Sequence, residues 1–229
     1  MTQILKNSRL LALRQFVIGP VVVDVGCDHG WLGIELLNSN QAETVIFADI
    51  NDLPLANAEQ NVRYYELLSR AQFIKSDGLS NIDQSFNTVV IAGIGGNLIS
   101  QIINQGISKL ATARLVLCPN NNGYTIRETL FKLGFTIEND EITIENNFFY
   151  EIIVASKMPQ QKAIKPYTAL QRQYGRYQSA ESRQHALAMY QSRYDHLLLI
   201  AQSIPENNNK LIDINAEITK LNEVINEIK

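Results

Sequence analysis

Long apolar runs are missing from this 229-residue chain. No stretch approaches the roughly 20 residues of a membrane helix, and the N-terminus lacks the uninterrupted apolar segment of a secretory signal, so neither a membrane protein nor an exported one is expected. Cysteine is nearly absent too. Its two residues, Cys27 and Cys118, offer no disulfide framework and no metal-ligand spacing, so a metal-free protein of the reducing cytoplasm is the expectation. A strong net charge is also lacking, and the formal value of −3 argues weakly against a nucleic-acid partner unless the charge is unevenly spread. What is present is a 45% hydrophobic composition, enough to bury a core in one sizeable domain or a domain with an appendage.

The charge is in fact uneven. Residues 1–20 carry Lys6, Arg9 and Arg14 with no acid, and residues 157–200 carry seven basic residues, among them Lys162, Lys165, Arg172, Arg176 and Arg183, against two acidic ones. A basic run on a helix is often only a solvated face. Interleaved Tyr167, Tyr174, Tyr177, Tyr190 and Tyr194 favour an RNA-facing surface, where rings stack on bases and cations meet phosphates, although the same tyrosines suit the core of a helical hairpin.

Apolar runs at 21–25, 44–48, 71–74, 88–92 and 114–118 read as strands separated by segments of helical periodicity. This βαβ alternation predicts a parallel sheet with helices on both faces and a ligand crevice beyond the carboxyl ends of the strands. A helix around 126–133 is followed by strand-like runs at 135–144 and 148–156, which predict an antiparallel hairpin. Composition shifts near 158–166, where the chain divides into a unit of residues 1–157 and an extension of residues 158–229. One long helix over 168–204, a turn at 205–209 and a second helix are expected in the extension. Leu211, Ile214, Ile218, Leu221, Ile225 and Ile228 recur at three-four spacing, the seam of an antiparallel coiled-coil hairpin.

The densest chemical signal is Asp24-Val25-Gly26-Cys27-Asp28-His29-Gly30 after the first strand. Glycines at such a turn let a ligand approach the backbone, and the helix that follows aims free N–H groups at it. A phosphate-binding dinucleotide loop places glycine at position 28, whereas Asp28 repels a pyrophosphate and attracts a cationic or amino-bearing ligand. S-adenosylmethionine (SAM), with its sulfonium and amine and no phosphate, fits better than NAD. Asp49, at the end of the second strand, stands where an acid accepts hydrogen bonds from a cofactor ribose, or alternatively caps the next helix. Asp77-Gly78 suits an adenine edge or an ordinary turn. A second glycine cluster, Ala92-Gly93-Ile94-Gly95-Gly96, ends the strand beside the first, and Pro119-Asn120 ends the fifth.

Together, Asp24–His29, Ala48-Asp49-Ile50-Asn51, Asp77-Gly78-Leu79, Ala92–Gly96, Pro119-Asn120 and Tyr150–Val154 resemble the bacterial TrmK family of tRNA (adenine(22)-N(1))-methyltransferases. Departures from that pattern are Cys27, Trp31, Gly33, Ile94 and Cys118. The resemblance implies a class I SAM-dependent methyltransferase: a Rossmann-like α/β fold whose mostly parallel sheet ends in an antiparallel hairpin, here with a C-terminal helical coiled-coil hairpin. It implies methyl transfer from SAM to N1 of an adenine in the D-arm region of tRNA, by a protein expected to be monomeric. Cofactor contacts then fall to Asp24, Gly26, Asp28, His29, Asp49, Ile50, Asn51, Asp77, Gly78, Ala92, Gly93, Ile94 and Gly95. Base contacts fall to Trp31 by stacking and to Asn61 and Asn120 by polar groups, with Asp28 favouring the cationic product. Lys6, Arg9, Arg14, Lys162, Lys165, Arg172, Arg176 and Arg183 are the expected RNA contacts. A methyltransferase of this fold with another RNA, protein or small-molecule acceptor, and a non-catalytic RNA-binding protein, are the alternatives.

Overall fold

The computed structural model describes residues 8–157, 164–205 and 208–229. Helix α1 (Ser8–Arg14) precedes the alternating unit β1 (Val21–Val25), α2 (Trp31–Asn38), β2 (Thr44–Asp49), α3 (Asp52–Tyr64), β3 (Ala71–Lys75), β4 (Thr88–Ala92), α4 (Gly96–Gln105), β5 (Arg114–Cys118) and α5 (Gly123–Lys132). Then come β6 (Thr136–Glu145), β7 (Phe148–Ser156), α6 (Ala169–Tyr174), α7 (Ala180–Ser203) and α8 (Asn209–Ile228). The seven strands form one sheet in the order β3-β2-β1-β4-β5-β7-β6. The first five run parallel and β7 is antiparallel to both β5 and β6. This is the Rossmann-like sheet with a closing hairpin that the sequence predicts, and its turn uses Asn146 and Asn147 at φ 50° and 64°, the left-handed pair that a tight hairpin demands.

Strand alternation sorts the apolar residues onto two cores. Val23, Val25, Val89, Ile91, Leu115 and Leu117 pack beneath α4 and α5, whereas Val22, Val45, Phe47, Val90 and Val116 pack beneath α1, α2 and α3. Both faces are thereby dry, as a parallel sheet requires.

Two expectations are corrected. The β3–β4 connection, residues 76–87, contains turns and no helix. Gly78 at φ 56° breaks the chain there, and Leu79 and Ile82, 2% and 0% exposed, plug the core without helical help. The single helix expected over 168–204 is two helices. Gly175 at φ 90° terminates α6, and Ser179 caps α7 by accepting from the Ser182 N–H at 3.1 Å, so the chain turns between them.

Helices α7 and α8 pack on each other, with Leu221, Val224 and Ile225 buried against Tyr174, Tyr177, Ala186 and Tyr190, and Ile142 of β6 joins that cluster. Leu211, Ile214 and Ile218, nearer the turn, are only half-buried. The hairpin is therefore rooted on the sheet and thins outward. No helix among the described residues is long and apolar enough to cross a membrane.

Candidate cofactor and acceptor site

A cavity of about 680 Å³ opens at the carboxyl ends of β1, β2, β4 and β5, the crevice that strand order alone locates. Its floor is the turn after β1. The Gly26 N–H donates to the Ala48 carbonyl at 2.8 Å and the Gly30 N–H to the Cys27 carbonyl at 2.7 Å, pinning the corner to β2. Gly26 and Gly93 have φ of 73° and 81°, a conformation that L side chains resist, and a Cβ on either would meet no protein atom within 4 Å. Both glycines thus border open cavity. Asp28 adopts φ 48°, a strained state for a non-glycine residue of the sort that collects at functional sites.

The lining is electronegative. Asp24, Asp28 and Asp49 border the cavity, and Arg9 is its sole arginine, no lysine being present among the lining residues. Burial raises the Asp24 carboxyl to about 7, the nearby Asp49 charge adds to that, and a hydrogen bond from the Gly33 backbone works against it. A buried acid held near neutrality is primed for a cation, which would return it to the carboxylate form. Burial likewise pushes the Cys27 thiol up, helped by Asp24 and Asp49, so it stays protonated and unreactive. These features fit SAM, which is cationic and lacks phosphate. Asp49 accepts the Asn51 N–H at 2.9 Å through Oδ1, and Asn51, not Asp49, occupies the N-cap position of α3.

The cavity gathers Asp24, Gly26, Asp28, His29, Trp31, Asp49, Asn51, Ala92, Gly93, Ile94 and Asn120. Trp31 is 38% exposed at the mouth, its ring centre 6.4 Å from that of His29. His29 Nε2 lies 3.8 Å from Asp28 Oδ1. Asn120 donates from Nδ2 to the Gly93 carbonyl at 2.6 Å, and its own N–H bonds the Ile94 carbonyl at 2.9 Å, so the two loops are locked together. Ile50, Asn61, Asp77, Gly78 and Gly95 lie outside the lining. Asn61 donates from Nδ2 to the His29 carbonyl at 2.9 Å, which ties α3 to the corner. Ile50 points to solvent at 56% exposure, and Gly95 is the N-cap of α4.

Arg9, Leu10, Leu32, Pro54 and Tyr150 also line the cavity, unforeseen in that role. Arg9 sits 4.8 Å over the Tyr150 ring and 3.7 Å from Glu145, forming the wall opposite the glycine corner. Tyr150 lay in a motif already noted, whereas only its position before Leu10 on a helix that folds over the sheet brings Arg9 inward.

The expected RNA contacts divide. Lys6 and Lys162 lie outside the described residues. Arg14 is spent on Glu35 at 2.7 Å and Gln41 at 2.9 Å, and Arg172 on Glu128 at 2.6 Å, over the Phe131 ring. Arg176 stacks 4.3 Å over Tyr167 and donates to the Lys165 carbonyl. These are structural cations, while Lys165 and Arg183 are exposed. Tyr167, Tyr174, Tyr177 and Tyr190 are 8%, 3%, 6% and 4% exposed, so of the two roles their spacing allows they take the core one and cannot stack on bases.

Resemblances to known proteins accompany this geometry. The sequence profile of the TrmK family, tRNA (adenine(22)-N(1))-methyltransferase, matches residues 22–227. The tRNA (adenine(22)-N(1))-methyltransferase of Bacillus subtilis strain 168 is 32% identical over 158 residues, which span 68% of this chain and 66% of that relative, just under two thirds of its length. The crystal structure of the B. subtilis m1A22 tRNA methyltransferase TrmK superposes with a TM-score of 0.86 at 26% identity, covering 97% of this chain and 99% of that one. Streptococcus pneumoniae Sp1610 in complex with S-adenosyl-L-methionine gives 0.82 at 29% identity, covering 95% and 98%.

Proposed function

Because this chain belongs to the TrmK family, tRNA (adenine(22)-N(1))-methyltransferase, we propose that it transfers the methyl group of SAM to N1 of adenine 22 in the D-arm region of tRNA. The observation that carries this reading is the acid-lined, phosphate-averse corner: Asp24, Asp28 and Asp49 on one cavity with Gly26 and Gly93. Asp49 is suited to accept from ribose hydroxyls, and Asp24 and Asp28 to meet the positive end of the cofactor. When bound there, SAM supplies an electrophilic methyl group on a sulfonium. With SAM held there by Asp24, Asp28 and Asp49, the adenine N1 lone pair would accept the methyl group and the sulfonium would leave as a neutral thioether, so no side chain needs to act as a nucleophile, and in-line positioning by the cavity walls would supply much of the acceleration.

The protein's part is to hold and to exclude. An adenine paired in tRNA hides N1, so the base is expected to flip into the cavity, where Trp31 offers a ring at the mouth and Asn120 a polar contact. The methylated ring bears positive charge, and the Asp28 carboxylate favours it electrostatically. Lys165 and Arg183 on the extension meet the RNA backbone, and residues 1–157 act as the catalytic unit with 158–229 as the RNA-facing one. The protein works as a monomer in the cytoplasm. Incubation with methyl-labelled SAM and unmodified tRNA, followed by digestion to nucleosides, tests the reading. Label in 1-methyladenosine supports it, and label in another nucleoside or none refutes it.

A further inference from the structure

The β5–α5 turn has two sides. Asn120 faces the cavity described above, and two residues later Asn122, Gly123 and Tyr124 border a separate cavity of about 320 Å³ whose far wall is the helical extension. That volume lies within the small-ligand range of about 300–1,000 Å³. We propose that this second cavity is a subsite for another nucleobase of the same tRNA, one presenting N–H donors, close to the adenine that is methylated. The proposal rests on the tRNA methyltransferase reading and extends it.

Ring chemistry is the first argument. Tyr124 stands in the first turn of α5 at 52% exposure, and no stacked or edge-on aromatic partner faces it among the described residues. Met189, from α7, supplies a polarizable thioether to the same space. An exposed ring beside a soft apolar side chain is a platform for a flat base.

Polarity is the second. Glu151 and Glu217 line the cavity, with Arg193 the sole cation among the lining residues. The Glu217 Oε1 is fully enclosed and accepts no well-aligned hydrogen bond, although Arg193 Nη2 lies 2.8 Å from it. Each carboxylate already has a guanidinium, Glu217 with Arg193 and Glu151 with Arg127 behind the wall, so the lining holds no spare cation for a phosphate, and the remaining carboxylate oxygens suit a base edge carrying amino or imino hydrogens, such as guanine, whose N1–H and N2–H match a carboxylate. Arg193 is itself 57% exposed while paired with Glu217, so its guanidinium stands at the rim where the backbone of such a base would pass.

Rigidity is the third. Glu151 Oε1 is held by Arg127 at 2.5 Å and by the Tyr177 hydroxyl at 3.4 Å, and Tyr177 meets the Tyr190 hydroxyl at 3.0 Å. Both walls are thereby tied together. A base seated between them would be held at a fixed offset from Asn120, so the subsite contributes to selecting which adenine reaches the cofactor.

Steady-state methylation of tRNA at saturating SAM, with SAM affinity by calorimetry and Tm alongside, tests this on Tyr124→Ala, Tyr124→Phe and Glu217→Gln. Loss of one stacked base contact predicts a tRNA KM raised about tenfold for Tyr124→Ala, a near-normal value for Tyr124→Phe, and a clear rise for Glu217→Gln, all with unchanged SAM affinity and Tm. A tRNA KM within twofold of wild type in both Tyr124→Ala and Glu217→Gln overturns the proposal. So does a rise matched by equal loss of SAM affinity, which would put Tyr124 in the cofactor site. If the wild-type protein methylates no tRNA, the reaction reading falls and the subsite with it. If wild type is active and the variants match it, only the subsite falls.

Discussion

Asp24 carries an unusual charge state. Its carboxyl, ordinarily near 3.8, is raised to about 7, first by burial, so the folded protein keeps a proton that the unfolded chain releases between those values. Stability contributed by this group is therefore present below about pH 4 and declines as pH rises toward 7. Asp24→Asn keeps an acceptor for the Gly33 backbone and removes the titration. Thermal melts of the ligand-free protein should show the variant gaining on wild type from pH 5 to pH 7.5, and an unchanging Tm difference across that range would contradict the assignment. The same substitution should weaken SAM, since the carboxylate that answers the ligand's charge is gone. Asp49→Ala should weaken SAM about thirtyfold, from the loss of roughly 2 kcal/mol of charge-assisted hydrogen bonding, with at most a small change in Tm from the lost Asn51 N–H contact. Equal affinity by calorimetry would sink the ribose assignment. The acidic character of the corner was legible in the sequence because Asp28 stands where a phosphate-binding loop has glycine, and Asp49 because it ends a strand. Asn61 was not legible, because only the folded α3 shows its amide bonded to the His29 carbonyl.

At the scale of elements, the join between sheet and extension is ionic and buried. Arg127 of α5 is 0% exposed and donates to both oxygens of Asp140 on β6 at 2.8 Å and to Glu151 on β7. Burial alone would lower its pKa, but the two carboxylates outweigh that and hold it well above the usual value. The extension closes the cluster, with the Tyr167 hydroxyl and the Arg176 N–H donating to Asp140 at 3.3 and 3.1 Å. Arg127→Met leaves two carboxylates without their cation and should cost about 3–5 kcal/mol in urea unfolding. A loss below about 1 kcal/mol would mean the cluster is not held as an ion network. Period and spacing foretold the strands and the hairpin, since each rests on a local pattern, whereas of the α8 seam only Leu221 and Ile225 are buried. They misread 168–204 as one helix because its polarity pattern continues across the Gly175–Ser179 break, and they left the tyrosines open between RNA surface and core because a ring at helical spacing carries no mark of the partner it packs on.

Taken whole, the molecule places an acid-rich cofactor crevice and a root of tyrosines and arginines at opposite sides of one turn, residues 119–124. The basic character that composition assigns to the extension is partly consumed inside, by Arg172 and Arg176, while Lys165, Arg183 and Arg193 stay exposed. The fold, the family and the cofactor follow from motifs spread across the chain in order, whereas the second cavity follows only from how α7 and α8 return to β7. Because methylation at N1 blocks Watson–Crick pairing, reverse transcription of tRNA treated with this protein and SAM reads out the central claim at nucleotide resolution. The account predicts a SAM-dependent stop at adenine 22, abolished when that residue is replaced by guanine. A stop at another adenine, or full-length product in the presence of SAM, would contradict it.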